Sequence, residues 1–167
     1  MPVPDRPVSG ASIESVWGQD IHDRVFAPKG CHVHGSAASN VSTTYAGLQL
    51  DTVDSDPGGF LDAANEAVEI PTGAEGLYLL VVQYRTTTGT DGQSVLCSYA
   101  LNGTPVNATT IDCLTGVAPQ GTVTGIEQLV AGDVFTCQAR KLASGGATPD
   151  VQVMAFRLVR IGDDYGA

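Results

Sequence analysis

Charged residues are scarce in this 167-residue sequence, and basic ones most of all, with 8 Lys and Arg against 18 Asp and Glu. The net charge of −10 argues against a nucleic-acid surface, which needs clustered cations to displace counterions. It also argues against an electrostatic hold on anionic lipid. No apolar run approaches the roughly 18 residues of a transmembrane helix. The opening residues MPVPDRPVSG contain no apolar signal-peptide core, so we expect a protein made in the cytosol.

Cysteine is also scarce, and no two cysteines form a CxxC pair. The four positions, Cys31, Cys97, Cys113 and Cys137, are widely spaced. Four cysteines allow three pairings, and the sequence does not choose among them. Without a secretion signal, free buried thiols are the expected state.

Two regions follow from the pattern: an N-terminal arm with a short helix over residues 1–28, and one domain over residues 29–167. Ser12 is a candidate helix cap, and apolar residues follow it at helical spacing. Gly18 weakens this helix, and Pro28 ends the segment. The apolar side either folds back onto its own domain or docks into a neighbouring subunit or a larger particle. The anchoring candidates are Ile13, Val16, Trp17, Ile21, Val25 and Phe26.

Beyond residue 41 the sequence predicts strands and turns, and therefore an all-β domain. Gly is plentiful at 20 residues, and a composition rich in Gly, Thr and Val favours short strands joined by tight turns. Asn102-Gly103 predicts a hairpin turn, because both residues tolerate positive φ. The predicted strands lie at 45–53, 67–70, 76–85, 94–101, 122–130, 133–141 and 151–161.

Two of these strands, 76–85 and 151–161, are apolar on both faces. One sandwich core covers one face, so a second partner is expected on the other. At about 25 cal/mol per Å² of apolar surface, leaving such faces in water costs several kcal/mol per strand. Alternation divides the first strand into Leu77, Leu79 and Val81, and Tyr78, Leu80, Val82 and Tyr84. It divides the last into Val151, Val153, Ala155, Val159 and Ile161, and Met154, Phe156 and Leu158.

From about residue 44 to residue 162, the order of motifs resembles the jelly-roll family of tumour necrosis factor and the complement globular head. The stretches that carry the resemblance are Leu50–Val53, Ile70–Gly73, Gly76–Tyr78, Leu101–Gly103, Leu129–Val134 and Phe156–Ile161. The family implies a ten-strand, two-sheet antiparallel jelly-roll sandwich that forms a homotrimer around a three-fold axis. By that implication the trimer-interface candidates are Tyr78, Leu80, Val82, Tyr84, Phe156 and Leu158. The sequence leaves open which of the two strand faces points at the axis.

Residues 13–28, IESVWGQDIHDRVFAP, resemble the opening of structural proteins from tailed bacteriophages of actinobacteria. Such proteins often begin with a Pro-rich strand and a Trp-Gly pair before a jelly roll. The resemblance implies a virion structural protein made in the bacterial cytoplasm, either a trimeric capsid decoration protein or a head- or tail-associated (minor tail) protein. Capsid or tail proteins would be its partners. The alternative is a receptor- or glycan-binding adhesin or tail-fibre module that uses the loops at 86–92 and 143–149.

Candidates for metal chemistry are few. Cys31-His32-Val33-His34 is the one cluster of metal-ligand types, and a loop between arm and domain is the favoured interpretation, without a metal. In a strand His32 and His34 would share a face and could begin a zinc or nickel site, completed within the fold or by trimer mates. The segment 54–59 resembles a calcium loop superficially. Asn65 stands where an EF-hand needs a carboxylate, so we expect a plain turn.

Catalytic motifs are missing from the sequence. No Ser lies in a G-x-S-x-G pattern, and the three histidines all fall in the N-terminal fifth. A cupin-like enzyme, which shares the jelly-roll outline, would need several histidines on inward strands. We therefore predict a non-enzymatic protein with no cofactor.

Overall fold

A computed structural model of the protein describes residues 29–87, 91–142 and 146–162. Within these ranges the chain forms twelve strands and no helix long and apolar enough to cross a membrane. The predicted arm and its helix, over residues 1–28, lie outside the described residues. The strands are β1 (Gly30–His34), β2 (Ser39–Asn40), β3 (Ala46–Leu48), β4 (Thr52–Ser55), β5 (Leu61–Asp62), β6 (Ala67–Glu69), β7 (Gly76–Thr86), β8 (Ser94–Leu101), β9 (Thr104–Asp112), β10 (Gln120–Leu129), β11 (Val134–Lys141) and β12 (Asp150–Gly162).

The strands form two six-stranded antiparallel sheets. The first sheet has the order β10-β7-β12-β1-β4, with β2 paired to β12. The second has the order β5-β6-β11-β8-β9, with β3 paired to β11. Strands that are neighbours in a sheet are mostly distant in sequence, so the chain passes repeatedly between the two sheets. The predicted all-β, two-sheet jelly-roll sandwich is confirmed.

The core lies between the sheets, where inward side chains alternate with outward ones along each strand. Phe135 on β11 contacts Phe156 on β12, with ring centroids 5.9 Å apart, and so joins the two sheets. Tyr99 on β8 completes the group, with its ring centroid 5.8 Å from that of Phe135. All three side chains are fully buried. Aromatic packing of this kind fixes the spacing of the sandwich.

Several predicted elements are confirmed closely. The strand predicted at 94–101 is β8, and those predicted at 67–70 and 76–85 are β6 and β7 with ends shifted by one residue. The turn between β8 and β9 has φ of 50° at Asn102 and 77° at Gly103, as a two-residue hairpin with both φ positive requires.

The single strand predicted at 45–53 is wrong. Its residues form two short strands in different sheets: β3 pairs with β11, whereas β4 pairs with β1. The chain therefore crosses from one sheet to the other between Leu48 and Thr52. Leu48 and Leu50 are both buried where the crossing passes the core. No Gly or Pro turn motif separates Leu48 from Thr52 in the sequence, so the pattern gives no sign of this change of sheet.

The alternation predicted for the last strand is also wrong. The register of β12 against β7 shifts between Val153 and Ala155, so Met154 is the extra residue of a β-bulge. The extra residue shifts the alternation of side chains by one position. Residues on either side of the bulge can therefore face the core although an odd number of positions separates them. Val151 and Val153 consequently share the buried face with Phe156 and Leu158, while Val159 and Ile161 are exposed.

The segment Cys31–His34 is part of a strand rather than the loop that the sequence favoured. It belongs to β1, which pairs with β12 on one side and β4 on the other. Cys31 and Val33 are buried, and His32 and His34 between and beyond them are half-buried on the opposite face. The two histidines therefore share one face of the first sheet.

Candidate functional site

The first sheet turns one face away from the core, and we call this surface the outer face. An apolar row crosses it, because Ile126 on β10 is paired with Leu79 on β7, and Leu79 is paired with Val159 on β12. These side chains are 62%, 37% and 42% exposed, respectively. Ile161, further along β12, is 50% exposed. Apolar residues aligned across three strands form a continuous patch rather than scattered surface residues.

The outer face changes character toward its other end. Leu77 and Val81 flank the apolar row and are half-buried. Beyond them Arg85 donates a hydrogen bond from Nη2 to Gln152 Oε1 at 2.9 Å, linking β7 to β12. The outer face is thus apolar near the start of β7 and polar near its end.

The predicted trimer-interface residues lie on the other side of the sheet. Each of the six side chains has 0% exposure, because it packs between the two sheets of its own chain. They belong to the core, and the assignment to a subunit interface is corrected: the outer face is the one left open to a second copy. The six residues are Tyr78, Leu80, Val82, Tyr84, Phe156 and Leu158.

A polar cluster lies beside the apolar row, where β1, β4 and β12 meet. His34 Nδ1 is 3.1 Å from Asp54 Oδ2, and His32 Nε2 is 3.4 Å from the same oxygen. Both imidazoles therefore converge on one carboxylate oxygen. The three side chains are 30%, 32% and 43% exposed for His34, His32 and Asp54, so solvent reaches the cluster.

A β-bulge in β4 brings Asp54 to the two histidines. His32 pairs with Ser55 and Val33 pairs with Val53, so Asp54 is the extra residue between two ladder positions. Bulges redirect a side chain out of the regular alternation of a strand. The sequence pattern gives no sign of the bulge, so it predicts a turn at Asp54 and no contact between Asp54 and the histidines.

Arg157 on β12 is the fourth member of the cluster. It is paired with His32 in the strand register, and its Nε donates to His32 Nε2 at 3.3 Å. To accept this hydrogen bond, Nε2 must carry a lone pair and no proton. The same nitrogen then has no proton to donate to Asp54.

The turn that follows Asp54 is present and is stabilised by an acidic residue within it, Asp56. Asp56 accepts hydrogen bonds from the backbone N–H groups of Phe60 and Leu61, each at 2.8 Å. Asp54 and Asp56 thus have separate partners and do not converge on one point. The turn predicted at 54–59 is therefore shorter than expected, because Asp54 and Ser55 belong to β4.

The edge strands β9 and β10 are joined by a buried tyrosine. Tyr99 Oη donates to Glu127 Oε1 at 2.8 Å and accepts from Asn107 Nδ2 at 2.9 Å. Burial, followed by the hydrogen bond to Glu127, raises the pKa of Tyr99 to about 12. Gly125 on β10 makes room for this hydroxyl, since a Cβ there would overlap it. This network links the edge strands of the two sheets and so closes one side of the sandwich.

The four cysteines are free and buried. Burial raises the pKa of Cys31, Cys97 and Cys137 to about 12 in each case. Thiols with such pKa values stay protonated near neutral pH and are poor nucleophiles. The cysteines therefore act as small core residues.

The loops considered for ligand binding are described only in part, since residues 88–90 and 143–145 lie outside the described ranges. The buried Lys141 donates from Nζ to the carbonyl oxygen of Ala147 at 3.1 Å, and Gln93 Nε2 donates to the same oxygen at 2.8 Å. Nearby, Leu114 and Val117 are 50% and 56% exposed in the loop after β9. In its described part, the loop before β12 is thus held by hydrogen bonds from Lys141 and Gln93, and it lies beside two exposed apolar side chains.

Known structures share this fold. The globular domain of zebrafish complement 1qA protein is 12% identical with a TM-score of 0.59, covering 81% of this chain and 98% of that chain. Eiger TNF from S. frugiperda is 16% identical with a TM-score of 0.53, covering 81% and 94%. Murine APRIL is 16% identical with a TM-score of 0.51, covering 75% and 98%.

No family model matches the sequence, and no curated protein matches it either. At 12–16% identity the structural similarity establishes the fold. The resemblance to the jelly-roll family of tumour necrosis factor and the complement globular head is confirmed at that level.

Proposed function

We propose that this protein is a homotrimeric structural protein of a bacteriophage virion, either a capsid decoration protein or a head- or tail-associated protein. It is made in the bacterial cytoplasm and reaches the particle by assembly. Its role is mechanical and not enzymatic. Residues 1–28 attach it to capsid or tail proteins, and the jelly-roll domain is displayed.

The exposed apolar row of the outer face carries the proposal of self-association. Ile126, Leu79 and Val159 adjoin one another across three strands and are solvent-exposed in the single chain. Burying them against a second copy gains free energy at about 25 cal/mol per Å² of apolar surface. In a closed three-membered ring every copy covers this patch on its neighbour, so no copy is left with an open face.

The homotrimer is what the resemblance to the tumour necrosis factor and complement-head family implies, and the similar solved structures support that resemblance. The attachment to a phage particle rests on a different feature, the similarity of residues 13–28 to the opening of phage structural proteins. The net charge of −10 agrees with a protein that binds neither nucleic acid nor anionic membrane.

Self-association is tested by the solution mass of the full chain, measured by light scattering on a sizing column. We expect about three times the chain mass of 17.2 kDa. A mass equal to one chain across the accessible concentration range would contradict the homotrimer.

Particle attachment is tested by deleting residues 1–28. We expect a folded trimer that is not incorporated when particles are assembled without the full-length protein. Normal incorporation of the truncated protein would contradict the anchoring role. Binding of the truncated trimer to host cells, lost when the loops at 86–92 or 143–149 are replaced, would favour the adhesin or tail-fibre alternative.

A further inference from the structure

We propose that Asn102 is a self-modification site, at which the side-chain amide is converted to a carboxylate without an enzyme, and that Asp133 slows this reaction in the folded protein. Asn102 lies in the turn between β8 and β9, and Asp133 lies in the turn between β10 and β11. Both residues belong to one chain, so the proposal does not depend on the proposed function or on the number of subunits.

The sequence supplies the reactive pair. Asn102 is followed by Gly103, and no other asparagine of the chain precedes a glycine. The backbone nitrogen of the following residue can attack the carbonyl carbon of an asparagine side chain, and glycine, which has no Cβ, hinders this attack least. Both residues are exposed at the tip of the hairpin, so water reaches them.

The reaction consumes one water and releases one ammonia. The Gly103 nitrogen forms a bond to Asn102 Cγ, and the bond from Cγ to Nδ2 breaks. The departing nitrogen takes up the proton that Gly103 has lost and leaves as ammonia. Water then opens the resulting cyclic imide at either of its two carbonyl groups. One opening gives aspartate at residue 102, and the other gives isoaspartate, in which the main chain runs through the former side chain.

The folded protein holds the Asn102 amide at both of its polar atoms. Asn102 Nδ2 donates to Asp133 Oδ1 at 2.8 Å, and Asn102 Oδ1 accepts from the backbone N–H of Val134 at 3.0 Å. The backbone N–H of Asn102 donates to the carbonyl oxygen of Val134 at 2.8 Å. The reaction expels Nδ2 and must therefore break its hydrogen bond to Asp133, which slows conversion in the folded chain.

Asp133 is itself fixed by its own turn. Its Oδ2 accepts from the backbone N–H of Val130 at 2.8 Å, and its backbone N–H donates to the Val130 carbonyl oxygen at 3.1 Å. Its carbonyl oxygen accepts from the backbone N–H of Ile70 at 2.9 Å. A hydrogen bond to a carboxylate is stronger than one between neutral groups. Asp133 is thus a positioning residue that holds the Asn102 amide in place.

Conversion of Asn102 destabilises the contact that delays it. A carboxylate at residue 102 has no proton to donate, and it lies at hydrogen-bond distance from the Asp133 carboxylate, so the two like charges repel. Isoaspartate also lengthens the main chain by one atom, in a turn whose φ values of 50° and 77° fit a two-residue hairpin. The modification therefore weakens the contact between the β8–β9 and β10–β11 turns.

The test follows conversion in the full-length chain in mildly alkaline buffer, by mass spectrometry of its peptides and by release of ammonia. The same chain unfolded in guanidinium chloride is the reference. We expect Asn102 to convert at least about tenfold more slowly in the folded chain, because a hydrogen bond to a charged group must break. Equal rates in the two states would overturn the proposal. Faster conversion of Asn40, Asn65 or Asn107 in the unfolded chain would also overturn it.

Two variants separate the role of Asp133 from a general loosening of the fold. Asp133→Asn leaves a single side-chain oxygen for two donors, Asn102 Nδ2 and the Val130 N–H, so conversion of Asn102 should be about tenfold faster. Asp62→Asn is the matched control, because it changes an Asp–Asn contact in another turn, with Asn65, and should leave the rate at Asn102 unchanged. Chemical unfolding shows that each variant is folded. A folded Asp133→Asn protein with the parent rate would overturn the role of Asp133.

A third variant tests the contact from the side of the product. Asn102→Asp should lower the free energy of unfolding at neutral pH, because two carboxylates then face each other. Combining it with Asp133→Asn exchanges the two groups, so the amide at residue 133 can donate to the carboxylate at residue 102. The double variant should regain much of the lost stability. An Asn102→Asp protein as stable as the parent, or no recovery in the double variant, would contradict the proposed contact.

Discussion

Leu79 on β7 lies directly opposite Val159 on β12, and both side chains point away from the core into solvent. Cross-strand partners on one face of a sheet are close enough to pack together. Ile126 extends the contact on the other side of Leu79. This pair marks the centre of the surface that we expect a second copy to cover.

Leu79→Asp is therefore expected to convert the proposed homotrimer to monomers, since it places a charge in the middle of the apolar contact. The measurement is solution mass by light scattering, together with chemical unfolding to show that the domain is intact. Val117→Asp is a matched control, because Val117 is 56% exposed but lies in the loop after β9. Loss of the trimer in both variants, or in neither, would contradict the assignment of the outer face.

Phe156→Ala is expected to act on folding rather than on assembly. The Phe156 side chain is fully buried and contacts Phe135 of the facing sheet. Truncating a buried phenylalanine lowers the free energy of unfolding by about 3–5 kcal/mol. Denaturant unfolding at fixed protein concentration measures this loss. A variant with the stability of the parent protein but a lower mass would instead place Phe156 between subunits.

Gly125→Ala is expected to destabilise the closed side of the sandwich. A Cβ at this position would overlap the Tyr99 hydroxyl and displace its hydrogen bonds to Glu127 and Asn107. Overpacking of this kind lowers the free energy of unfolding by about 1–3 kcal/mol. Gly47→Ala is the control, since nothing lies within 4 Å of a Cβ there. Equal stabilities for the two variants would argue against the tight contact.

Ser36→Ala is expected to change the pH dependence of stability. Hydrogen bonds from the Ser36 side chain and backbone hold the pKa of Asp51 below its usual value of 3.8. A carboxylate with a lowered pKa in the folded state stabilises the fold above pH 3.8, and this contribution is lost as the pH falls through the folded-state pKa.

The thermal unfolding midpoint should therefore be lower for Ser36→Ala than for the parent protein at neutral pH. The difference should shrink in acid below pH 3.8, where Asp51 is protonated in the unfolded chain and then in the folded one. Asp51→Asn should show the same neutral-pH loss without the pH dependence. A constant difference across this range would contradict the role of Asp51.

The sequence predicted the strands that are long or bounded by strong turn residues. β8 ends at Asn102-Gly103, whose two positive φ values determine the hairpin locally. The crossing between β3 and β4 has no such local signal, because no Gly or Pro turn motif lies between Leu48 and Thr52. The change of sheet is decided by pairing with β11 and β1. The pattern of apolar and polar residues along the sequence indicates which residues are buried, but it does not indicate which sheet a strand joins.

The orientation of β7 illustrates the same limit for the interface. Both of its faces are apolar, and alternation separated Leu79 from Tyr78 and Leu80 without indicating which set faces the second sheet. The choice depends on packing against residues such as Phe135 and Phe60, far away in sequence. The sequence also grouped His32 with His34, but the bulge that brings Asp54 to them arises only when β4 pairs with β1.

The position of β12 has a consequence for how the protein is synthesised. β12 is the last strand along the described chain, yet it lies inside the first sheet, between β7 and β1. On a translating ribosome, β1 and β7 emerge long before the strand that joins them. The nascent chain therefore holds unpaired strand edges and apolar surface until residue 162 has left the exit tunnel, and such edges promote aggregation. Completion of the first sheet therefore waits for β12, and β1 and β7 stay without their shared partner until that strand is made.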